Sequence, residues 1–261
     1  MSRSFFSIIT CTRNSGKFVK KNITSVRRQT FKDYEHIFID GYSLDKTNDI
    51  IDTYAHNNPK VRVYKYSPNG ISNAFNLGIK HSNGKYIIFL NSDDYFYDND
   101  VLGDAAKFLK ENEQPDWIFG IINVVEENGK RVGLFPKFIL FKKELAPLLK
   151  LINYIPHQSS FIKKEIFENY GKFDEGLTSQ MDYDLWLKIA SHTRWKFYER
   201  LISNYSIRKG AMSSSKKNSK ENIRNMRTVQ ARYTNKVEFF VARIAEFLVQ
   251  IYNKIYNKTT R

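Results

Sequence analysis

The strongest constraint on the fold is the alternation of short apolar segments with helix-like segments in the first half of the chain. The apolar segments are rich in β-branched and aromatic residues, and the segments between them repeat their apolar residues with a helical period. Near-continuous apolar strands separated by helices are typical of a parallel sheet that helices cover on both faces. The sequence therefore predicts a doubly wound α/β fold. We expect strands at residues 5–10, 36–40, 61–66, 86–91 and 117–125, and helices at 17–29, 45–56, 71–81 and 101–111.

The second half of the chain is less regular. We expect a hairpin turn at residues 126–130, a loop that enters a strand at 155–162 and a helix at 180–191. Residues 208–220 are polar and basic, which predicts a mobile segment, and the pattern from residue 221 onward is helical.

Composition narrows the class of protein. Hydrophobic residues make up 41% of the 261 residues and charged residues 26%, which are ordinary values for a globular protein and exclude extensive disorder. Cys11 is the only cysteine, so an internal disulfide and a cysteine zinc cluster are excluded. No segment has the length of a membrane span or the pattern of a secretory signal, and we predict a cytoplasmic protein.

The positive charge is concentrated near the C-terminus. The formal net charge is +15, and residues 201–261 hold 13 Lys and Arg against 3 Glu, so 13 − 3 = +10 lies there. A basic tail of this kind serves nucleic acid binding, anionic lipid binding or solubility, and charge alone does not choose among them.

Polar side chains follow each of the first four predicted strands, and in an α/β sheet ligands bind beyond the carboxyl ends of the strands. Asp93 and Asp94 come directly after the fourth strand, at the end of "FLNSDD". Two adjacent carboxylates repel each other unless a cation lies beside them, and oxygen ligands suit Mg²⁺ or Mn²⁺. The alternative is a turn that caps the helix starting near Asn99.

Two further acidic segments contain candidate functional residues. In "IDGYSLDKT", Asp40 is placed to accept hydrogen bonds from a base or a ribose, although an Asp-Gly turn before a capped helix is a common alternative. In "DYDLWLK", Asp182 and Asp184 are two residues apart on a predicted helix and cannot both face one pocket. One of them is a candidate general base, and a surface helix that carries two aspartates is the alternative.

Taken in order, four segments resemble the inverting glycosyltransferases of family 2, which have the GT-A fold, and in particular the branch that builds bacterial surface polysaccharides. The resemblance covers roughly residues 5 to 215, and four motifs in the correct order are more specific than any one of them. They are "SIITCTRN" (7–14), "IDGYSLDKT" (39–47), "NGISNAFNLGIKHSNGKYIIFLNSDD" (69–94) and "HQSSFIKKEIFENYGKFDEGLTSQMDYDLWLK" (157–188).

The resemblance implies a fold and a division of the chain. The fold is the GT-A fold, a Rossmann-like, mostly parallel α/β sheet flanked by helices, with a C-terminal helical extension. Residues 1–215 would form the catalytic domain, in which 1–125 bind the nucleotide-sugar and 126–215 bind the acceptor, and residues 216–261 would form the basic helical extension.

The resemblance also implies roles for individual residues on the donor side. Thr10, Asn14 and Asp40 map to the nucleotide pocket. Asp93 and Asp94 map to the acidic motif that holds Mn²⁺ or Mg²⁺ against the diphosphate, with Asp94 favoured as the direct ligand. The metal then acts as a Lewis acid for the departing nucleotide.

On the acceptor side, Asp182 maps to the catalytic base, which must lie within hydrogen-bond reach of the acceptor hydroxyl on the face opposite the leaving diphosphate. Asp184 is the second choice for this role. His157 and Gln158 match the stretch beside the acceptor site, with a buried structural histidine as the alternative.

Residues 206–215 match a segment that often closes over the donor in relatives. Arg208 and Lys209 would meet phosphate oxygens and Gly210 would act as a hinge. A disordered surface loop is the alternative.

Two positions depart from the family pattern near the nucleotide. Gly41 stands where many relatives have a second acidic residue, and Phe75 stands where they have an arginine. These departures leave recognition of the nucleotide base undefined. A UDP-sugar is the favoured donor because members of the family usually bind one, and GDP and dTDP stay open.

The C-terminal segment carries an apolar helical stripe with basic residues nearby. Such a helix could lie on an anionic bilayer, which would suit a lipid-linked acceptor. The alternatives are packing on the catalytic domain or against a second subunit in a homodimer. The stripe consists of Val237, Phe240, Val241, Ile244, Leu248, Ile251 and Ile255, and Phe239, Val249 and Tyr252 widen it.

The sequence thus predicts a hexosyltransferase or N-acetylhexosaminyltransferase. It would move sugar from a nucleotide-sugar to a hydroxyl of a glycan or lipid-linked saccharide by metal-assisted single displacement. We expect a role in polysaccharide biosynthesis at the inner face of the plasma membrane. The alternative is a non-catalytic relative that binds a saccharide or a membrane. No recognised nucleic-acid motif accompanies the basic tail, and we predict no nucleic acid partner.

Overall fold

The computed structural model describes residues 3–136, 146–208 and 216–259. The strands in these ranges are β1 (Phe6–Thr12), β2 (Tyr34–Asp40), β3 (Val61–Lys65), β4 (Tyr86–Phe89), β5 (Tyr95–Phe96), β6 (Trp117–Glu126), β7 (Arg131–Phe135), β8 (Ser160–Lys163) and β9 (Trp195–Ile207). The helices are α1 (Val19–Arg27), α2 (Thr47–Ala55), α3 (Gly70–His81), α4 (Val101–Glu111), α5 (Ala146–Leu149), α6 (Lys164–Tyr170), α7 (Met181–Ile189), α8 (Lys216–Tyr233) and α9 (Lys236–Thr259).

One mixed sheet joins the described strands in the order β3-β2-β1-β4-β8-β6-β9-β5, with β7 beside β6. β1 pairs in parallel with β2 and β4, and β2 pairs in parallel with β3, which confirms the prediction of parallel strands for the first half. In the second half, β8 runs antiparallel between β4 and β6, and β9 lies parallel to β6. The strands and helices predicted for the first half are present as β1 to β4, β6 and α1 to α4.

Side chains of the central strands alternate between two cores, because successive residues of a strand point to opposite faces. Ile9 belongs to the core shared with α3, α6 and α7, and Ile8 belongs to the core shared with α1 and α4. In the first core, the ring of Trp117 stacks on those of Trp186 and Trp195, with centroids 5.1 and 4.8 Å apart. Helices therefore cover both faces of the sheet and hold the ends of its strands in place.

Helix α3 lies close against β1. Phe75 and Ile79 recur at helical spacing on its buried face. A Cβ atom at Gly78 would collide with the side chain of Ile9, so the glycine permits this close approach. The first turn of α3, at Gly70, is thereby held beside the carboxyl ends of β1 and β2.

The expectations for the second half are mostly met. The turn at 126–130 joins β6 to β7, the loop at 155–162 leads into β8, and the predicted helix at 180–191 is α7. The helix predicted from residue 221 begins earlier, because α8 starts at Lys216, inside the segment 208–220 that was predicted to be mobile. Met226 and Val229 of α8 pack against the first core. Residues 209–215 lie outside the described residues. None of the described helices is long and apolar enough to cross a membrane.

Candidate active site

The carboxyl ends of β1, β2 and β3 surround a cavity of about 230 Å³. The segment that follows β4 lies next to it, since the hydroxyl of Ser92 donates a hydrogen bond to that of Ser15 (2.9 Å). The loops predicted to carry ligand-binding groups therefore meet at one edge of the sheet. Residues that line the cavity include Arg13, Asp40, Gly41, Tyr66 and Asn69.

Asp40 lines this cavity, whereas Asn14, which was predicted to share the nucleotide pocket, is not among its lining residues. Asp40 is fully buried, and its Oδ1 accepts hydrogen bonds from the hydroxyls of Thr12 (2.8 Å) and Ser43 (2.6 Å). Its Oδ2 accepts a third hydrogen bond from the backbone N–H of Ser43 (2.8 Å). Asn14 accepts a hydrogen bond at Oδ1 from the backbone N–H of Leu44 (2.9 Å). Both residues thus fix the loop that follows β2.

Thr10 does not line the cavity as predicted. It is fully buried, its hydroxyl donates to the backbone carbonyl of Leu90 (2.8 Å), and it lies 3.0 Å from Nε2 of His36. The physical reason is that β1 continues to Thr12, two residues beyond the predicted end of the strand. Cys11 and Thr12 line the cavity instead, and Thr10 supports the strand from within the core.

Asp94 is a buried carboxylate that is only partly satisfied. It is 1% exposed, and its Oδ1 accepts a hydrogen bond from the backbone N–H of Ser206 (3.1 Å). Its Oδ2 has no hydrogen-bond partner among the described residues. Burial, and then the charge of Asp93, raise the pKa of Asp94 well above its ordinary value of 3.8, and hydrogen bonding from Ser206, Asn91 and Gln158 opposes this rise only in part. The site therefore favours a proton or a cation on this residue.

Asp93 already has a cationic partner. The Nε atom of Arg208, directly after β9, donates a hydrogen bond to Oδ2 of Asp93 (2.7 Å), and its guanidinium carbon lies 4.6 Å from the ring centroid of Phe18. Both side chains of the ion pair keep some exposure to solvent. Lys209 and Gly210, which the resemblance places in the same segment, lie outside the described residues.

The resemblance implies Mn²⁺ or Mg²⁺ at Asp93 and Asp94, and these residues fit such an ion. The Oδ2 of Asp94 is a buried oxygen that accepts no hydrogen bond among the described residues, and a cation would offset both the cost of its burial and its repulsion from Asp93. The described part of the chain brings no cluster of three or more His, Cys, Asp and Glu side chains together. Two carboxylates are sufficient for Mg²⁺, which usually completes its shell with substrate phosphates and water.

Asp182 lies in the first turn of α7, and its side chain is 18% exposed. Its Oδ1 accepts a hydrogen bond from the backbone N–H of Tyr183 (2.8 Å), and its Oδ2 lies 3.2 Å from Nδ1 of His157. Nε2 of His157 is in turn 3.2 Å from Nδ2 of Asn91, which stands two residues before Asp93. The fold thus brings Asp182 towards the segment that follows β4.

Asp184 has a different environment. It is 1% exposed, and its Oδ1 accepts hydrogen bonds from Arg232 (2.9 Å) and from the hydroxyl of Tyr233 (3.1 Å). Nζ of Lys188 lies 3.5 Å from its Oδ2. Asp184 therefore holds α8 against α7, and Asp182 is the more exposed carboxylate of the two.

Sequence reasoning missed three residues that support the site. Asn91 stands inside the motif "FLNSDD", so its place at a strand end was a usable signal. Phe18 and Arg232 had no local signal, because each contacts a residue that is distant along the chain, Arg208 and Asp184 respectively.

The two departures from the family pattern have different surroundings. The atoms nearest to a Cβ at Gly41 would be those of the aliphatic part of Arg13, at 3.5 Å. Phe75 is a core residue, with its ring centroid 4.4 Å from that of Phe89 and 5.3 Å from that of Phe173. A buried apolar ring therefore occupies the position where relatives have an arginine.

Solved structures define the class of fold. S. aureus TarS 1-349 in complex with UDP-GlcNAc matches with a TM-score of 0.69 and 23% identity, over 86% of this chain and 65% of that chain. The mannosyltransferase PcManGT from Pyrobaculum calidifontis, in complex with GDP-Man and Mn²⁺, matches with a TM-score of 0.69 and 17% identity, over 94% of this chain and 69% of that chain. The predicted GT-A fold with C-terminal helices is thereby confirmed.

Sequence comparison then gives the family. The family model for glycosyl transferase family 2 matches residues 7–171, more than half of the chain. The chain belongs to this family, as predicted. Over 194 residues it is 28% identical to a PGL/p-HBAD biosynthesis glycosyltransferase of Mycobacterium tuberculosis (strain ATCC 25177 / H37Ra), covering 74% of this chain and 72% of that protein.

Proposed function

We propose that this glycosyltransferase inverts the anomeric centre as it moves a sugar from a nucleotide-sugar to an acceptor hydroxyl. The observation that carries the proposal is the pairing of a buried, unpartnered carboxylate oxygen at Asp94 with a second, more exposed carboxylate at Asp182. The side chains of Asn91 and His157 connect the segments that hold them. Cation binding and proton abstraction need these two different environments.

In the proposed reaction, residues that follow β1, β2, β4 and β9 bind the donor, and Asp182 of α7 acts on the acceptor. The cavity beside Asp40 receives the nucleoside, and Arg208 exchanges its contact with Asp93 for phosphate oxygens. A divalent cation bound by Asp93 and Asp94 would supply Lewis-acid stabilisation of the departing diphosphate. Asp182 takes the proton of the acceptor hydroxyl as that oxygen attacks from the opposite face, so the configuration inverts.

The donor is proposed to be a UDP-sugar that carries a hexosyl or N-acetylhexosaminyl group. Support comes from TarS, whose structure holds UDP-GlcNAc. A GDP-sugar is the alternative donor, because the structure of PcManGT holds GDP-Man. Residues 1–125 would bind this donor, residues 126–215 the acceptor, and residues 216–261 would form an extension.

The acceptor is proposed to be a glycan or a lipid-linked saccharide in polysaccharide biosynthesis, reached at the inner face of the plasma membrane. Helix α9 supports the membrane contact, because Val237, Phe240 and Phe247 are 72%, 65% and 62% exposed along one side. The surrounding positive charge suits anionic lipid. The side chains of Leu248, Ile251 and Ile255 lie outside the described residues.

Sedimentation with vesicles tests this contact. We expect binding to vesicles that contain phosphatidylglycerol and little binding to phosphatidylcholine alone. Phe240→Glu should abolish binding, and the matched control Thr228→Glu, at an exposed position of α8, should keep most of it. Concentration-dependent dimerisation that Phe240→Glu removes, without vesicle binding, would assign the stripe to a homodimer instead.

The central experiment screens nucleotide-sugars for protection against thermal unfolding, with and without Mn²⁺, and then follows transfer from the best donor by NMR of the product linkage. We expect protection that requires the cation, and an inverted anomeric configuration. A non-catalytic saccharide- or membrane-binding relative is the competing function. It would show no donor hydrolysis or transfer with any nucleotide-sugar.

A further inference from the structure

His157 lies between the two sides of the proposed active site. It begins a short 3-10 turn, His157–Ser159, that leads into β8. The turn is anchored to β6, because the hydroxyl of Ser159 donates a hydrogen bond to the backbone carbonyl of Gly120 (2.9 Å). The edge of the imidazole meets the ring of Phe75, with centroids 5.7 Å apart. Backbone and ring are therefore both held.

The contacts of the imidazole determine which nitrogen carries its proton. Nδ2 of Asn91, 3.2 Å from Nε2, can only donate a hydrogen bond, so Nε2 must accept it. The proton of the neutral ring then resides on Nδ1, which donates to Oδ2 of Asp182 at 3.2 Å. Asn91 thus selects the tautomer that allows His157 to hold Asp182.

Asp182 has little else to hold it in place. Among the described residues, its Oδ1 accepts a hydrogen bond only from the neighbouring backbone N–H of Tyr183, a contact within α7 itself. Gln180, just before α7, has a φ of 63°, so α7 begins directly after a left-handed turn. A contact from outside α7 is therefore needed to fix the direction of the Asp182 carboxylate.

We propose that His157 is the positioning residue of the reaction, orienting Asp182 through Nδ1–H while Asn91 fixes its tautomer. The inference rests on the proposed function of Asp182 as the base. His157 also connects the acceptor side of the site with the donor side, since Asn91 belongs to the same strand-end segment as Asp93 and Asp94. His157 is not itself the base, because its Nε2 lone pair is occupied by Asn91.

A matched pair of amide variants tests the proposal. His157→Asn places an amide N–H near the position of Nδ1 and keeps the hydrogen bond to Asp182, whereas His157→Gln places its amide near Nε2 and loses it. We expect kcat to fall about 30-fold in His157→Gln and His157→Ala, and by no more than about threefold in His157→Asn. Donor affinity, measured by calorimetry with Mn²⁺, should stay unchanged in all three variants.

The activities of the three variants distinguish a positioning role of His157 from two other roles. If His157 were the base, His157→Asn would be as inactive as Asp182→Asn, and the proposal would be overturned. If His157 served packing alone, His157→Asn and His157→Gln would lose equal activity and melt at equally reduced temperatures, which would also overturn it.

NMR separates failure of this inference from failure of the proposed function. Imidazole nitrogen shifts of the wild-type chain should show a proton on Nδ1 of His157, and Asn91→Ala should redistribute it between the nitrogens. If no donor is ever turned over but this tautomer is observed, the proposed function fails and the hydrogen-bonded orientation of Asp182 stands. If transfer occurs and the proton is on Nε2, the inference fails and the function stands.

Discussion

The end of β4 and the start of α7 each carry two acidic residues, and the two regions treat them differently. In each region one carboxylate, Asp94 or Asp184, is only 1% exposed, and its companion, Asp93 or Asp182, is more open. Asp184 has a guanidinium and a hydroxyl on one oxygen and an ammonium group near the other. Asp94 has the backbone N–H of Ser206 and the side-chain amides of Asn91 and Gln158 beside it, but among the described residues it has no cationic partner and its Oδ2 accepts no hydrogen bond.

This difference is the one expected between a structural carboxylate and the cation ligand that we propose at Asp94. An unpaired buried charge costs free energy of folding, and the chain has avoided that cost at Asp184 by placing Arg232 beside it. It has not done so at Asp94, although Arg208 is close enough to pair with Asp93. A cation bound at Asp93 and Asp94, as proposed, would offset this cost.

The largest effect should come from the open carboxylate of α7. Replacing Asp182 with Asn keeps the shape and the Oδ1 acceptor but removes the proton acceptor, so kcat should fall about 10³-fold while donor affinity is unchanged. Steady-state kinetics and calorimetry measure the two quantities. Asp174→Asn, in an exposed ion pair, is the control and should keep full activity. Activity of Asp182→Asn within tenfold of wild type would remove this residue from the role of base.

Replacing Asp94 with Asn should weaken donor binding in the presence of Mn²⁺ about 100-fold, because a cation ligand is lost. Without Mn²⁺ the free energy of unfolding should not fall, and near neutral pH it is expected to rise, since the cost of protonating Asp94, or of burying its charge, is removed. Calorimetry and chemical denaturation measure these two effects. A loss of stability as large as the one expected for Asp184→Ala would mean that Asp94 is a structural residue.

Replacing Asp184 with Ala should show the opposite pattern. Loss of the contacts to Arg232 and Tyr233 should lower the free energy of unfolding by about 2 kcal/mol, because Arg232 is partly exposed and regains water. The kcat of the folded fraction should be unchanged. Asp174→Ala removes the more exposed contact of the same arginine and should cost less than about 1 kcal/mol. Equal losses for both variants would show that burial does not distinguish Asp184.

The first half of the site could be predicted because its information is local. Each of β1 to β4 is encoded by a short apolar segment and followed by polar residues, so Asp40, Asp93 and Asp94 were assigned to one edge of the sheet without knowledge of long-range contacts. Thr10 was misplaced only because the end of β1 was set two residues early.

In the second half of the chain, the fold and the site depend on long-range contacts, which a local sequence pattern does not predict. β8 enters the sheet through pairs such as Phe119 with Ser160, and no periodicity specifies that register. Asp182 and Asp184 differ in environment because Arg232, which lies on a different helix, pairs with Asp184. Spacing showed that the two aspartates diverge, and only the packing of α8 on α7 distinguished their environments.

The smallest effect should be a pH dependence of stability that belongs to Asp94. Burial and the charge of Asp93 raise its pKa in the native state, so the folded chain holds this proton at pH values where the unfolded chain has lost it. Stability therefore falls as pH rises from about 3.8, the ordinary pKa, to the raised native pKa, with a slope no steeper than about 1.4 kcal/mol per pH unit for one proton.

Comparing wild type with Asp94→Asn by chemical denaturation across this range isolates that contribution from the other carboxylates. The variant should lack the downward slope, and saturating Mn²⁺ should flatten it in the wild type, because a cation replaces the proton on Asp94. If the free energies of unfolding of the two proteins depended on pH in the same way, burial of the Asp94 charge would cost no free energy of folding. The contrast between the end of β4 and the start of α7 would then have to rest on binding data alone.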